Sequence, residues 1–334
     1  MSFNSLPFLF VFFPIFLVLY YLVPRTLQNV VLVIGSLIFY WIGTSAYPWM
    51  ILLLAGEILF TWLCGLGLAG EKKKTPLLVF SIAVLFGCLA LFKYDTLLGL
   101  DLAFPLAISF YTFQMAAYLF DVHRGKVCPE RSLITYSAGV LLFVKLLSGP
   151  LASWESVFAQ LKKRRYSWDS INDGLREFIL GLSLKVLLAD TIGGIWSQVT
   201  NIGFEAISTP MAWLGLVAYS LQLYFDFYGY SKMAIGLGRM LGFELPDNFL
   251  HPYASKSMSE FWRRWHVTLG AWFRDYVYIP LGGSRCSRAR TLFNLFVVWL
   301  FTGIWHGSTV NYLLWGMFLF LLIASEKLWT GRFL

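Results

Sequence analysis

Long apolar runs follow one another along this chain with only short polar breaks between them, and few folds tolerate that pattern. Residues 6–23, 27–42, 48–68, 76–92 and 104–120 form the first five runs, and 133–147, 174–196, 211–241, 291–304 and 310–323 continue the series. A helix needs about 20 mostly apolar residues to cross the hydrocarbon layer, so about ten segments are candidates for membrane-embedded helices. Inside lipid, every backbone N–H and C=O must be satisfied within the protein, which leaves helices or closed barrels. Barrel strands would alternate apolar and polar residues over about ten positions, and these runs do not alternate. The expected class is therefore all-α, a polytopic integral membrane protein. Composition agrees: 58% of the 334 residues are hydrophobic and 13% charged, against about 25% charged in soluble domains. One membrane-embedded domain over residues 1–334 is expected, without a soluble module, low-complexity stretch or repeat.

The net charge of +8 would suggest nucleic acid in a soluble protein. Here the cations sit between apolar runs: Lys72-Lys73-Lys74, Lys162-Lys163-Arg164-Arg165, Arg263-Arg264, and Arg285 to Arg290. That distribution fits cytoplasmic anchoring of a bilayer-embedded chain, and no nucleic-acid partner is expected. With Arg25, Lys72–Lys74 and Arg124–Arg131 cytoplasmic, the N-terminus is extracytoplasmic. Lys162–Arg165 then falls outside if residues 133–147 cross, which breaks the positive-inside bias. A re-entrant segment at 133–147, or at Gly149-Pro150, resolves the conflict. Irregular backbone at membrane depth must be buried in protein or line a cavity.

Cys64, Cys88, Cys128 and Cys286 are scattered, with no metal-ligand or disulfide spacing. Residues 6–23 lack a basic lead-in and a small-residue cleavage site, so they read as a retained span. His123 and His251 fall in polar stretches and read as surface residues.

The segment after Pro252 differs in kind. Ser257-Met258-Ser259-Glu260 reads as a capping box. Trp262, Trp265, His266, Leu269, Trp272, Phe273 and Tyr276 recur at helical spacing, and Pro280-Leu281-Gly282-Gly283 ends the run. The expectation is one amphipathic helix packed on the membrane face, with His266 turned inward along its aromatic stripe. His306, in Gly303-Ile304-Trp305-His306-Gly307, lies between two long apolar runs. An ionisable residue at bilayer depth costs roughly 2.5–3.5 kcal/mol or more, and is a functional candidate by default. The plain alternative for either histidine is a buried ring satisfied by a backbone carbonyl.

Phe261-Trp262-Arg263-Arg264-Trp265-His266-Val267-Thr268-Leu269, followed by Trp272 to Gly283, resembles the signature of the membrane-bound O-acyltransferase family, in the form of its bacterial alginate O-acetyltransferase branch. Phe92-Lys93-Tyr94, Pro105 to Tyr111, Tyr224-Phe225-Asp226-Phe227-Tyr228-Gly229-Tyr230-Ser231, Met233 to Gly238 and Gly303 to Gly307 match the same branch, and the likeness runs from the N-terminus to about Lys327.

The resemblance implies helices around a central tunnel, a multi-pass protein of the bacterial inner membrane, and transfer of an acyl group from the cytoplasm to an extracytoplasmic hydroxyl. The donor would be acetyl-coenzyme A, used as substrate with no bound cofactor or metal. The acceptor would be an alginate-like exopolysaccharide or cell-wall polymer, reached through an extracytoplasmic partner protein or its membrane anchor. By resemblance His306 is the catalytic residue and His266 its second member. Transfer from a thioester to an alcohol needs a base for the hydroxyl proton, and histidine titrates nearest neutral pH. His306 is that candidate base. Gly303 and Gly307 would let the backbone approach a ligand closely. His266 would orient His306 or donate to the developing oxyanion.

Asp226 is expected to pair with Arg263 or Arg264, or to line the tunnel, and Trp305 and Asn248 are candidates for tunnel or oxyanion support. Glu57, Lys185 and Asp190 read as structural. Arg263, Arg264, Arg274 and Arg285 are candidates for gripping the donor's phosphates, since a guanidinium fork suits phosphate; lipid headgroups compete for that role. Two departures from the branch stand out. Lys145 occupies the position before Leu-x-x-Gly-Pro where relatives tend to carry histidine. The chain also stops soon after the run at 310–323, where relatives usually continue. D-alanyl transfer to teichoic acid from a carrier protein, and flipping of a lipid-linked sugar, remain the alternatives.

Overall fold

The computed structural model describes residues 1–70, 74–203 and 205–330, so Lys72 and Lys73 of the first basic cluster lie outside the described residues. The chain is helical, and among the described residues the only extended pairing is one antiparallel bridge between Phe249 and Trp265. Among the described residues, four helices are long and apolar enough to cross a membrane: Trp49–Leu68, Thr75–Lys93, Trp168–Ile202 and Val310–Leu328. Phe8–Leu22 and Gln28–Gly43 are shorter apolar helices. Phe10, Ile15, Leu52, Phe80 and Leu187 stand exposed on such helices. Outward faces of this kind suit lipid tails rather than water.

The chain divides into two compact units. The first comprises residues 1–43, 137–152 and 156–247. It holds α1 (Phe8–Leu22), α2 (Gln28–Gly43), the long α9 (Trp168–Ile202) and α10 (Thr209–Met240). The second comprises residues 44–136, 153–155 and 248–334. It holds α3 (Trp49–Leu68), α4 (Thr75–Lys93), α5 (Ile108–His123), α11 (Met258–Arg264), α12 (Val267–Phe273), α13 (Arg288–His306) and α14 (Val310–Ser325). Helices α6 (Leu133–Leu141), α7 (Phe143–Leu146) and α8 (Trp154–Lys162) complete the order.

In the first unit α9 and α10 meet backbone to backbone at two notches. A Cβ on Gly181 would lie 2.5 Å from the Gly229 carbonyl oxygen, and one on Gly236 would lie 2.5 Å from that of Gly174. Small residues at membrane helix contacts allow this approach, which maximises dispersion and close packing where lipid supplies no hydrophobic drive. The Tyr224–Gly238 glycines are therefore packing residues. Phe143 is buried among Phe12, Phe16 and Phe39. Its backbone N–H donates to Ser36 Oγ at 3.2 Å where the chain breaks at Leu142. The apolar run at 133–147 is thus two short helices, the longer of nine residues. At 1.5 Å per residue neither spans the roughly 30 Å hydrocarbon layer.

The expected span at 104–120 is corrected at its start. Pro105 and a left-handed Ala107 (φ 61°) delay α5 to Ile108. This helix is buried along nearly its whole length. It is the core of the second unit: Trp154 Nε1 donates to the Gln114 carbonyl at 2.6 Å, and Gly65 of α3 gives way to the Tyr118 ring.

Candidate active site

The expected single helix through His266 is two helices. Helix α11 begins at Ser257, whose Oγ accepts from Glu260 N. The return arm of the capping box reaches one residue further: the Glu260 carboxylate accepts from Lys256 N at 2.8 Å. That bond, with Arg264 and Arg263 nearby, holds the Glu260 carboxyl below the usual carboxylate range. Glu326, at the end of α14, caps the same helix from outside, accepting from Met258 N at 2.5 Å, Ser259 N at 2.9 Å and Ser259 Oγ at 2.8 Å.

After Arg264 the chain turns extended at Trp265 and left-handed at His266 (φ 46°). Residues 248–250 run antiparallel against the break: Leu250 N donates to Arg264 O and Val267 N to Asn248 O, each at 2.9 Å. The buried Asn248 Oδ1 accepts from Thr268 N at 3.3 Å and Thr268 Oγ1 at 2.9 Å. Asn248 thus pins the turn that carries His266. Periodicity missed the break because its cause is this distant strand-like segment.

His266 is the N-cap of α12. Its Nδ1 accepts from Leu269 N at 3.2 Å. A neutral imidazole with an accepting Nδ1 carries its proton on Nε2. The ring is 7% exposed, so its inward orientation matches the expectation.

His306 closes the last turn of α13, against Trp305 (ring centroids 4.5 Å apart) and Trp315 (4.8 Å). It is exposed at the protein surface despite these neighbours. Tyr94 OH donates to the Ile304 carbonyl at 2.5 Å and so braces that turn from the end of α4. Both flanking glycines are close-packing positions. A Cβ on Gly303 would lie 2.7 Å from the Tyr312 carbonyl oxygen, and one on Gly307 would lie 2.2 Å from the Tyr312 ring. His306, at the end of α13, and His266, at the start of α12, belong to the same compact unit.

Helix α12 and its continuation Arg274–Tyr278 separate two cavities. One, of about 660 Å³, is lined by Val267, Gly270 and Arg274, with Arg263, Glu326 and Lys327. The other, of about 450 Å³, is almost wholly apolar: Phe113, Trp272, Phe273, Ile304 and Trp305 line it, with Lys93. Trp305 Nε1 is buried and has no hydrogen-bond partner among the described residues.

The remaining candidates scatter. Asp226 pairs with Lys185 at 2.7 Å, which also reaches Asp190 at 2.7 Å, so neither Arg263 nor Arg264 is its partner. Lys185, on the neighbouring α9, is thus the counter-ion of the half-exposed Asp226. Arg264 is held by Glu260 at 2.6 Å, Arg274 is forked onto Asp275, and Arg285 stands in an exposed loop. Of the four, Arg263 and Arg274 line the larger of the two cavities beside α12, the one that also holds Glu326 and Lys327. His251 is exposed as expected, whereas His123 ends α5 at 3.3 Å from Thr75 Oγ1. Lys145 is buried at 1% exposure. The fold sets Lys93 of the Phe92-Lys93-Tyr94 motif beside Trp305, Nζ 6.0 Å from the ring centroid.

A model of the membrane-bound O-acyltransferase family matches residues 38–333. The chain belongs to that family. It is a membrane protein. It is 39% identical to a probable alginate O-acetylase of Pseudomonas aeruginosa, over 98% of this chain and 66% of that one. It is 31% identical to the peptidoglycan O-acetyltransferase of Helicobacter pylori, over 94% and 68%. Similarity to the teichoic acid D-alanyltransferase of Bacillus subtilis is lower, 26% over 64% and 56%. The chain thus spans about two thirds of the length of the alginate relatives, 66% in the Pseudomonas aeruginosa case.

Proposed function

We propose that this protein is a membrane-bound O-acetyltransferase that moves acetyl from cytoplasmic acetyl-coenzyme A to a hydroxyl of an extracytoplasmic polysaccharide, an alginate-like exopolysaccharide or a cell-wall polymer. The observation that carries the reading is the presence in one compact unit of His306, exposed at the end of α13, and His266, buried at the break before α12. His306 takes the acceptor's hydroxyl proton. His266, with Nδ1 occupied by Leu269 N, offers Nε2–H as a donor to His306 or to the developing oxyanion. Trp305 Nε1–H is a further donor at the same turn. Arg263 and Arg274, at the larger cavity, are the arginines that support a donor-phosphate role.

The chain works as one acyltransferase domain with about ten embedded segments around a tunnel. It sits in the bacterial inner membrane with its N-terminus extracytoplasmic. The two short helices at 133–147 support the re-entrant reading that keeps Lys162–Arg165 cytoplasmic. The final acceptor is reached through an extracytoplasmic acyl-accepting protein or its anchor. The higher identity to O-acetylating relatives favours acetyl over D-alanyl transfer.

Purified protein in detergent or proteoliposomes, given acetyl-coenzyme A and an oligosaccharide acceptor, tests this. Free thiol should be released by wild type. A folded His306→Ala variant should lose the roughly 10²–10⁴-fold that a positioned base contributes. Equal thiol release by both proteins overturns the assignment.

A further inference from the structure

Lys93 ends α4 inside the smaller cavity, where nearly every other lining group is apolar. Its Nζ lies 5.6 Å from the Phe104 ring centroid and 6.0 Å from that of Trp305. The Trp305 ring in turn lies 4.5 Å, centroid to centroid, from the His306 ring. Among the described residues no carboxylate pairs with it, and no hydrogen-bond acceptor holds it. Other half-buried lysines of this protein are neutralised: Lys185 by Asp190 and Asp226, Lys232 by Glu177 and Asp247. A cation taken out of water is normally paired, because the desolvation cost is otherwise uncompensated. Aromatic faces recover only part of that cost. An ammonium left unneutralised beside the candidate base is what a site needs when negative charge exists only in its transition state.

We propose that Lys93 is a catalytic residue whose ammonium receives the negative charge on the thioester carbonyl oxygen during acyl transfer. The proposal rests on the acetyl-transfer reading above. His306 takes the proton from the acceptor hydroxyl as its oxygen bonds to the thioester carbon. The carbonyl π electrons move onto oxygen, which becomes an oxyanion facing Lys93. The oxyanion then collapses, the carbon–sulfur bond breaks, and the leaving thiolate takes the proton back from His306. Ester and free thiol are the products, and Lys93 keeps its proton throughout.

Lys93→Met keeps the length of the side chain and removes its charge. In the thiol-release assay with acetyl-coenzyme A, we expect kcat to fall about 10²–10³-fold with KM within about threefold of wild type. Lys93→Arg should recover part of the loss. Thermal unfolding of the Met variant should occur at or above the wild-type temperature, since an unneutralised buried charge has been removed. Three results overturn the proposal while leaving the parent reading intact: a Met variant within threefold of wild-type kcat when His306→Ala is inactive, a loss confined to KM, or a Met variant less stable than wild type and rescued by Arg in stability alone. If wild type and His306→Ala release thiol equally, the parent reading fails and takes this proposal with it.

Discussion

Replacing His266 separates its place in the fold from its place in the chemistry. The residue does two structural jobs: it holds a left-handed backbone (φ 46°), and its Nδ1 caps α12 by accepting from Leu269 N. His266→Ala loses both. An N-cap lost to alanine costs about 1 kcal/mol, and a left-handed alanine costs about 1–2 kcal/mol. His266→Asn loses neither, because asparagine adopts the left-handed region readily and is among the best N-caps. Both variants leave space where the ring stood, so the difference between them isolates the turn. The Asn variant should therefore be about 2–3 kcal/mol more stable than the Ala variant, with His266→Gly between them. Thermal unfolding in a fixed detergent, followed by loss of monodisperse protein, reads the order. Thiol release should follow a different order, with Asn, Gly and Ala variants all impaired, since none restores an Nε2–H donor. Equal stability of the Asn and Ala variants would refute the cap. Wild-type activity in the Asn variant would remove His266 from the chemistry.

Two further expectations concern packing and the indole. Gly236→Ala should push α9 from α10, because its Cβ would meet the Gly174 carbonyl oxygen at 2.5 Å; overpacking of this kind costs about 1–3 kcal/mol. Gly56→Ala, with nothing within 4 Å, is the control, and matching unfolding temperatures for the two would contradict the notch. Trp305→Phe should leave stability unchanged or slightly raised, since the indole N–H it deletes has no partner among the described residues. If that N–H serves the transition state, kcat falls at least tenfold; unchanged kcat assigns Trp305 to packing.

Much of the fold was legible because lipid imposes a simple rule. Apolar runs of span length became helices at 49–68, 75–93 and 310–325 within a few residues of expectation. What periodicity could not carry were breaks set by distant partners. The turn at His266 depends on Asn248, which sits 18 positions upstream and looks like any loop asparagine. The break at Leu142 is met by Ser36, an ordinary helix serine. At the site, both histidines were visible as polar residues in apolar company. Lys93 was not, since a lysine closing an apolar run reads as an interfacial anchor. At Gly303 and Gly307 the close neighbour is Tyr312. Glycine in a sequence reports close approach but not what approaches.

Helix α12 and its continuation Arg274–Tyr278 act as a septum. Positions 267, 270, 271 and 274 line the charged cavity, and 272, 273, 276 and 277 line the apolar one. Gly270 and Ala271 are the thin places in that wall. A Cβ at Gly270 would meet nothing closer than the Trp262 carbonyl oxygen at 3.8 Å. The charged vestibule can therefore be narrowed one methyl at a time without touching the aromatic side that packs toward Trp305. Substitutions that reshape the charged cavity could accumulate on one face of this helix while the packing on the other stays fixed.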